Sequence, residues 1–297
     1  MLTIGSRGSQ LALWQAHFIA GQLAAAGFET RIEIIKTTGD RLQTASLAQS
    51  GGKGLFTKEI EEALLAERVD LAVHSLKDLP TESPAGLTIA AVPLRASPFD
   101  ALVGARLAEL PQGALVGTSS PRRAAQLRML RPDLRLQPIR GNVDTRIRKQ
   151  KIGEFHAILL AAAGLQRLNL AHEIAEIFSP DQICPAPGQG ALGIQTRVHG
   201  HALEICRRLN HQATNQAVSA ERAVLAGLSG GCQLPVGAYA VVSGDALEIS
   251  AVVLAPDRPL LIRSHTNGRA QNAGDLGRRI ADDLLRQGAH EMLAPGS

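Results

Sequence analysis

The stretch ALVGTSSPRRAAQLRML, residues 114–130, decides the fold. Its apolar start reads as a short buried strand and GTSS as a turn. PRRAAQLRML then reads as a helix, with Ser120 at the N-cap and Pro121 at the first helical position, where a missing N–H does no harm. A strand feeding directly into a helix is the repeating unit of an α/β sheet, and the unit recurs on both sides. Upstream, LTI (2–4) is a strand that leads through a Gly/Ser turn into a helix over 10–26, with Ser9 as its N-cap and Gly27 as its stop. RIEIIKTT (31–38) alternates with period two. The glycine loop GGKGLF (51–56) precedes a helix, KEIEEALLAE (58–67), which Thr57 is placed to cap. VDLAVHSL (69–76) is nearly continuous apolar sequence, as expected of a parallel strand covered on both faces. Downstream, LRLQPI (134–139) is a strand, TRIRKQKIG (145–153) a basic helix, and AILLAAAGLQRL (157–168) a strand running into a loop or helix.

CPAPGQGALGI (184–194) breaks the alternation with prolines and glycines, and it reads as a crossing between domains. After it comes a helix, QAVSAERAVLAGL (216–228). Three β-like runs follow, at 235–242, 246–255 and 259–266, parted by the hairpin turns SGD and PDR, and a last helix spans about 272–287. The expected architecture is α/β, with two lobes and a small C-terminal α+β domain built on an antiparallel sheet. Residues 1–94 with 191–214 form lobe 1, 95–190 lobe 2, and 215–297 the C-terminal domain.

The 297-residue composition, 45% hydrophobic and 20% charged, is that of a globular chain. The longest apolar run falls short of the roughly 20 residues that a membrane helix needs. No basic-then-apolar leader opens the chain, and three cysteines (Cys184, Cys206, Cys232) leave one without a mate, so a reducing cytoplasmic setting is expected. Charge is unevenly spread. Residues 119–151 hold ten Lys/Arg against Asp133 and Asp144, a net +8, while the rest of the chain nets −4. An anionic ligand is expected in this region.

Four constellations bear chemistry. In AVHSLKDLP (72–80), a buried strand ends in Ser75, Lys77 and Asp78, at the carboxyl end where α/β sheets collect ligands. Asp78 is a candidate catalytic carboxylate and Lys77 and Ser75 are anion contacts; the ordinary alternative is that Asp78 caps the next turn. In GTSSPRR (117–123), Thr118, Ser120, Arg122 and Arg123 surround a helix start whose free N–H groups suit a carboxylate or phosphate. Arg140 and Arg146 in IRGNVDTR add planar forks. Arg7, Ser9 and Lys53 stand in glycine-rich turns ahead of helices, with neither a Walker loop nor a Rossmann fingerprint, so a nucleotide is not indicated. Trp14 and Phe56 read as core anchors by default. The nine histidines show no metal spacing, and His74 reads as structural. Finally, LSGGCQLPVGAYA (228–240) places Cys232 on a glycine loop, as nucleophile, tether or inert thiol.

Seven of these stretches occur in order: IGSRGSQLALWQA, GGKGLFTKE, DLAVHSLKDLP, GTSSPRR, IRGNVDTR, PGQGALGI and GGCQLPVGAYA. Together they resemble the hydroxymethylbilane synthase, or porphobilinogen deaminase, family. The resemblance implies three domains, the first two like the lobes of periplasmic binding proteins. It also implies condensation of four porphobilinogens, with loss of ammonia, into linear hydroxymethylbilane. The reaction would run on a dipyrromethane cofactor that the enzyme assembles itself and holds by a thioether to Cys232. By the same resemblance Asp78 is catalytic. Arg7, Ser9, Lys53, Phe56, Ser75, Lys77, Thr118, Ser120, Arg122, Arg123, Arg140, Arg146, Arg167 and Gln189 match cofactor- or substrate-binding positions. The implied protein is a cytoplasmic monomer with no metal and with neither nucleic acid nor membrane as partner. Two positions depart from the pattern. Gln49 stands where some members have lysine. Gln195 stands where an acidic residue is common, which puts one interdomain contact in question. Two other classes compete: a nucleic-acid binder resting on RIRKQK, which lacks a reading motif and aromatic platforms, and a passive small-anion module, which needs neither Asp78 nor Cys232.

Overall fold

A computed structural model describes residues 1–38, 57–228, 235–256 and 258–293. They form two compact units, Met1–Arg95 with Ala191–Asn215, and Ala96–Gly190 with Gln216–Ser297. The chain passes from the second unit back to the first between Gly190 and Ala191, inside the Pro/Gly-rich stretch.

The first unit is built on a five-stranded sheet of β1 (Leu2–Ser6), β2 (Thr30–Ile34), β3 (Leu71–Ser75), β4 (Leu87–Ala91) and β10 (Leu192–Arg197), in the order β2-β1-β3-β10-β4. β1 pairs in parallel with β2 and β3, whereas β10 runs antiparallel to both β3 and β4. The helix Gln10–Ala25 buries Ala16, Ile19 and Leu23 against Ile4, Leu71, Val73 and Ile194. Fully burying such a side chain contributes about 1.5–3 kcal/mol. Ser9 caps this helix, its hydroxyl accepting from the Ala12 N–H at 3.3 Å, and Gly27 follows its end at φ +87°.

The second unit repeats that plan. Its mixed sheet has the order β7-β6-β8-β5-β9, from β5 (Asp100–Val103), β6 (Leu115–Gly117), β7 (Arg135–Gln137), β8 (Ala157–Ala161) and β9 (Ile174–Ile177). As β1 does in the first sheet, β6 runs parallel to both its neighbours, and β5 lies antiparallel to both β8 and β9. The same unit contains an antiparallel meander of β11 (Val236–Ser243), β12 (Ala246–Leu254) and β13 (Leu261–Arg269). The helix Ala273–Arg286 lays Leu276, Ile280, Ala281 and Leu284 on it, the 3.6-residue repeat of one buried face. Two mixed α/β sheets plus a small antiparallel sheet with helices is the architecture expected from the sequence.

Several local expectations shift. The strand expected over 31–38 stops at Ile34, because β1 ends at Ser6 and offers its last carbonyl to the Ile35 N–H at 2.8 Å. The strand expected over 69–76 is Leu71–Ser75, and the chain then tightens into a 3₁₀ turn, Leu76–Asp78. Strands β4, β5, β9 and β10 and the short helix Ala289–Leu293 were not anticipated.

Candidate functional site

In the first unit the carboxyl end of β3 meets the turn after β1. Arg7, Ser9, Gln15, Thr57, His74, Ser75 and Asp78 line an open cavity of about 90 Å³ there, floored by Leu11, Ala12, Ile60 and Val73. Pairing explains the convergence. β1 and β3 are parallel neighbours, so their carboxyl ends lie side by side and each hands its next residues to the same edge. Asp78 closes the 3₁₀ turn and is solvent-exposed, while Ser75 and Arg7 are half-buried. The hydroxyls are pre-set as donors. Ser75 Oγ accepts from Gln15 Nε2 at 2.8 Å and Ser9 Oγ accepts from the Ala12 N–H, leaving each hydroxyl proton for a ligand acceptor. The cavity thus offers one carboxylate to N–H donors, and a guanidinium and hydroxyls to carboxylates.

His74 forms the back of this wall as a satisfied structural residue. Its Nε2 lies 3.0 Å from Gln195 Oε1, and Gln195 Nε2 donates to Glu61 Oε1 at 3.1 Å. Glu61 as a carboxylate only accepts, so the amide must turn its oxygen to the imidazole, which is then the Nε2–H tautomer. Burial lowers His74 to about 4, the bond to Gln195 opposing the shift and the Arg7 charge adding to it. Within the first unit, Gln195 bonds to His74 and Glu61. Thr57 also differs from expectation. It occupies the N-cap of the helix Lys58–Leu65 but at φ −120°, ψ −27°, with no side-chain capping bond.

The arginine-rich segment folds inward. Ser120 caps the helix Pro121–Leu130 by accepting from the Arg123 N–H, with Thr118 buried one turn before it. Adjacent arginines suggest a ligand-facing fork. Instead both guanidiniums enter the interior and close on Asp100, which is fully buried at the start of β5. Arg122 Nη1 reaches Asp100 Oδ2 at 2.8 Å and the Cys184 carbonyl at 2.5 Å. Arg123 binds Asp100 Oδ1 through Nε at 2.8 Å and the Leu159 carbonyl through Nη1 at 3.2 Å. Gln189 joins the cluster, donating to Asp100 Oδ1 at 3.0 Å and accepting from Arg123 Nη2 at 3.3 Å. Burial would push the Asp100 carboxyl up, but the charges of Arg122 and Arg123 and the bonds from Arg122 and Gln189 outweigh it and hold the group well below the usual carboxylate range.

Further positive charge adjoins this knot. Arg146, half-buried, donates from Nε to the Gly141 carbonyl at 2.8 Å, and burial and then the Arg123 charge lower its pKa. Arg167 donates to the Gly190 carbonyl at 2.6 Å and falls to about 10 through burial. Gly190 itself admits no side chain: at φ +83° a Cβ would lie 2.6 Å from the carbonyls of Ala96 and Ser97. Arg140 is exposed and Lys77 half-buried. Arg122 and Arg123 are thus interior, whereas Arg128, Arg135, Arg140, Arg148 and Lys151 of the same basic segment are exposed.

Cys184 and Cys206 are buried, and burial pushes both thiols up to about 12, far from a reactive thiolate. Lys53, Phe56, Gln49 and Cys232 lie outside the described residues. The helix Gln212–Gly227 and strand β11 flank the segment that carries Cys232. Glu221 of that helix is buried and accepts from the Gly188 and Ala240 N–H groups at 2.7 and 2.9 Å, joining the 184–190 loop to β11.

Three participants escaped the sequence reading. Gln15 sits inside a quoted motif, and its signal was a polar residue on the apolar face of the helix that Ser9 caps. Asp100 had an indirect signal: ten bases with two local acids call for a compensating carboxylate elsewhere. Thr57 was noticed only as a cap.

The chain matches two family models, "Porphobilinogen deaminase, dipyromethane cofactor binding domain" over residues 2–204 and "Porphobilinogen deaminase, C-terminal domain" over residues 215–286. It is 50% identical to a porphobilinogen deaminase of Acidothermus cellulolyticus, covering 99% of this chain and 91% of that protein. Identity is 47% to one from Deinococcus radiodurans, covering 98% and 97%. Among solved structures, an ABC-transporter periplasmic substrate-binding protein from Coxiella burnetii overlaps with a TM-score of 0.45 at 13% identity, covering 75% of this chain and 97% of that one.

Proposed function

The chain belongs to the porphobilinogen deaminase family, and on that premise we propose that Asp78 is the carboxylate that carries the family reaction here and Cys232 the residue that anchors its cofactor. The activity is transfer: four porphobilinogens are joined head-to-tail, one ammonia leaving at each step, and water releases linear hydroxymethylbilane. The observation that carries the site assignment is the cavity at the end of β3, where Asp78 faces solvent among donors suited to carboxylates.

The donor set fits an oligopyrrole, whose rings present N–H groups inward and acetate and propionate outward. A single carboxylate meets the N–H groups, and Arg7, Ser9 and Ser75 meet the acids. Bound through sulfur, the dipyrromethane supplies the pyrrole carbon from which the product is extended. Asp78 accepts hydrogen bonds from pyrrole N–H groups, stabilises positive charge that develops as ammonia departs, and takes up the proton lost from the attacking α-carbon. In the second unit Thr118, Ser120, Arg140, Arg146 and Arg167 are the groups we assign to the carboxylates that accumulate as rings are added. Arg122, Arg123 and Gln189 hold that surface from beneath through Asp100. Assignment of the tether to Cys232 is supported by the inertness of the other two cysteines. We place Lys53, Phe56 and Lys77 with the binding groups on the family pattern. We also take residues 1–94 with 191–214, 95–190 and 215–297 as three folding domains, and the protein as a cytoplasmic monomer; among the described residues no helix is long and apolar enough to cross a membrane.

The test is direct. Purified protein given porphobilinogen should release four ammonia per bilane and yield uroporphyrin after oxidation. A preparation carrying its covalent adduct that does neither refutes the assignment.

A further inference from the structure

We propose that the Thr57 hydroxyl is a ligand-binding group of the Asp78 cavity, hydrogen-bonded to a side-chain carboxylate of the pyrrole substrate. This rests on the deaminase reading above and adds a residue that the seven motifs did not assign to binding. Thr57 is 2% exposed, it lines the cavity, and its Oγ1 has no hydrogen-bond partner among the described residues. Buried polar atoms are nearly always satisfied, so an orphan calls for an explanation. Capping does not provide one, because the helical backbone angles at Thr57 leave its side chain with no bond to the helix that follows. For folding alone, a valine of the same shape would serve better than a hydroxyl buried without a partner. The group becomes favourable once a ligand fills the cavity.

The surroundings identify what it binds. Arg7 brings positive charge, and Ser9 and Ser75, each accepting one bond from a protein donor, keep their hydroxyl protons to donate. A third hydroxyl in this wall completes a set of donors around a carboxylate, whereas the single lining acid, Asp78, faces N–H groups. The helix dipole is not the source of recognition. Glu59 and Glu61 already stand in the first turn of Lys58–Leu65, Glu59 bonded to Thr38 and Glu61 to Gln195. The ligand is read by the hydroxyl itself.

Two substitutions in the holoenzyme separate a binding role from a structural one. Thr57→Val should keep or raise the melting temperature, since a methyl replaces the orphan hydroxyl. It should also raise KM for porphobilinogen about tenfold, the size of one hydrogen bond to a charged acceptor. The rise in melting temperature on adding porphobilinogen should shrink in parallel. Thr57→Ser should show the reverse: KM within about twofold of wild type, with a lower melting temperature because a buried methyl is lost. A valine variant with wild-type KM and a wild-type ligand-induced shift overturns the proposal. So does a valine variant that melts below wild type, because the hydroxyl then has a partner in the protein. Failure of the deaminase reading itself looks different: wild-type protein would release no ammonia.

Discussion

Replacing Asp100 with asparagine tests whether the buried ionic knot holds the second unit together. Asp100 accepts from Arg122 Nη1 at 2.8 Å, from Arg123 Nε at 2.8 Å and from Gln189 Nε2 at 3.0 Å, and its side chain has no exposure. Asparagine keeps the shape and one acceptor oxygen. It turns an NH₂ toward guanidinium donors and removes the negative charge that lies against two arginines in the interior. Breaking a buried, hydrogen-bonded ion pair from one side costs about 3–5 kcal/mol. Against a typical total of about 5–15 kcal/mol that is a large share. Urea unfolding at pH 7 should therefore show a midpoint well below wild type with an unchanged slope. The pH dependence adds a second signature. The folded-state pKa of Asp100 is depressed from the ordinary aspartate value of 3.8, so its contribution is present above that value and is lost as pH falls below it. Wild type should lose that contribution in acid, and Asp100→Asn should lack this part of the acid limb. A variant within about 1 kcal/mol of wild type at pH 7, or one with the same acid limb, refutes the view that Asp100 offsets both arginines.

Other expectations concern the site. Cys232→Ser should reduce the intact mass to that of the bare polypeptide, whereas Cys184→Ala and Cys206→Ala should retain the adduct; an adduct that survives in Cys232→Ser moves the anchor elsewhere. Asp78→Asn should melt like wild type, because the residue is exposed, yet lose about 10²–10⁴-fold in kcat, as removal of a general acid–base does; near-normal turnover would relocate the chemistry. For His74, the folded pKa of about 4 lies below the ordinary histidine value of 6.5, so the unfolded chain binds a proton that the folded one refuses. Stability from this group should fall by about 3 kcal/mol as pH drops through that window. Gln195→Glu should raise the His74 pKa and flatten the fall, and an unchanged pH profile in urea titrations would show that Gln195 does not govern the imidazole.

Local chemistry was legible where it is written in adjacent residues. Ser9 and Ser120 cap their helices, Gly27 ends one, and the strand ending at Ser75 delivers Asp78 to an edge. Strands β4, β5, β9 and β10 escaped because their partners are distant in sequence. Leu192 pairs with Ser75 and Asp100 with Ala161, so what makes each a strand is a neighbour that no local window contains.

The same division runs through the function. Amino-acid order alone determined the two α/β sheets and the family, because turn chemistry, periodicity and seven motifs each reside in short runs of residues. Only the tertiary structure decided which charges are buried against one another. Arg122 and Arg123 read as an anion fork until Asp100, more than twenty residues upstream, is brought against them. Thr57 reads as a cap, but its hydroxyl makes no capping bond and the residue lies in the cavity wall. Burial and pairing set the role of a polar group, and both are properties of the residues that surround it in space.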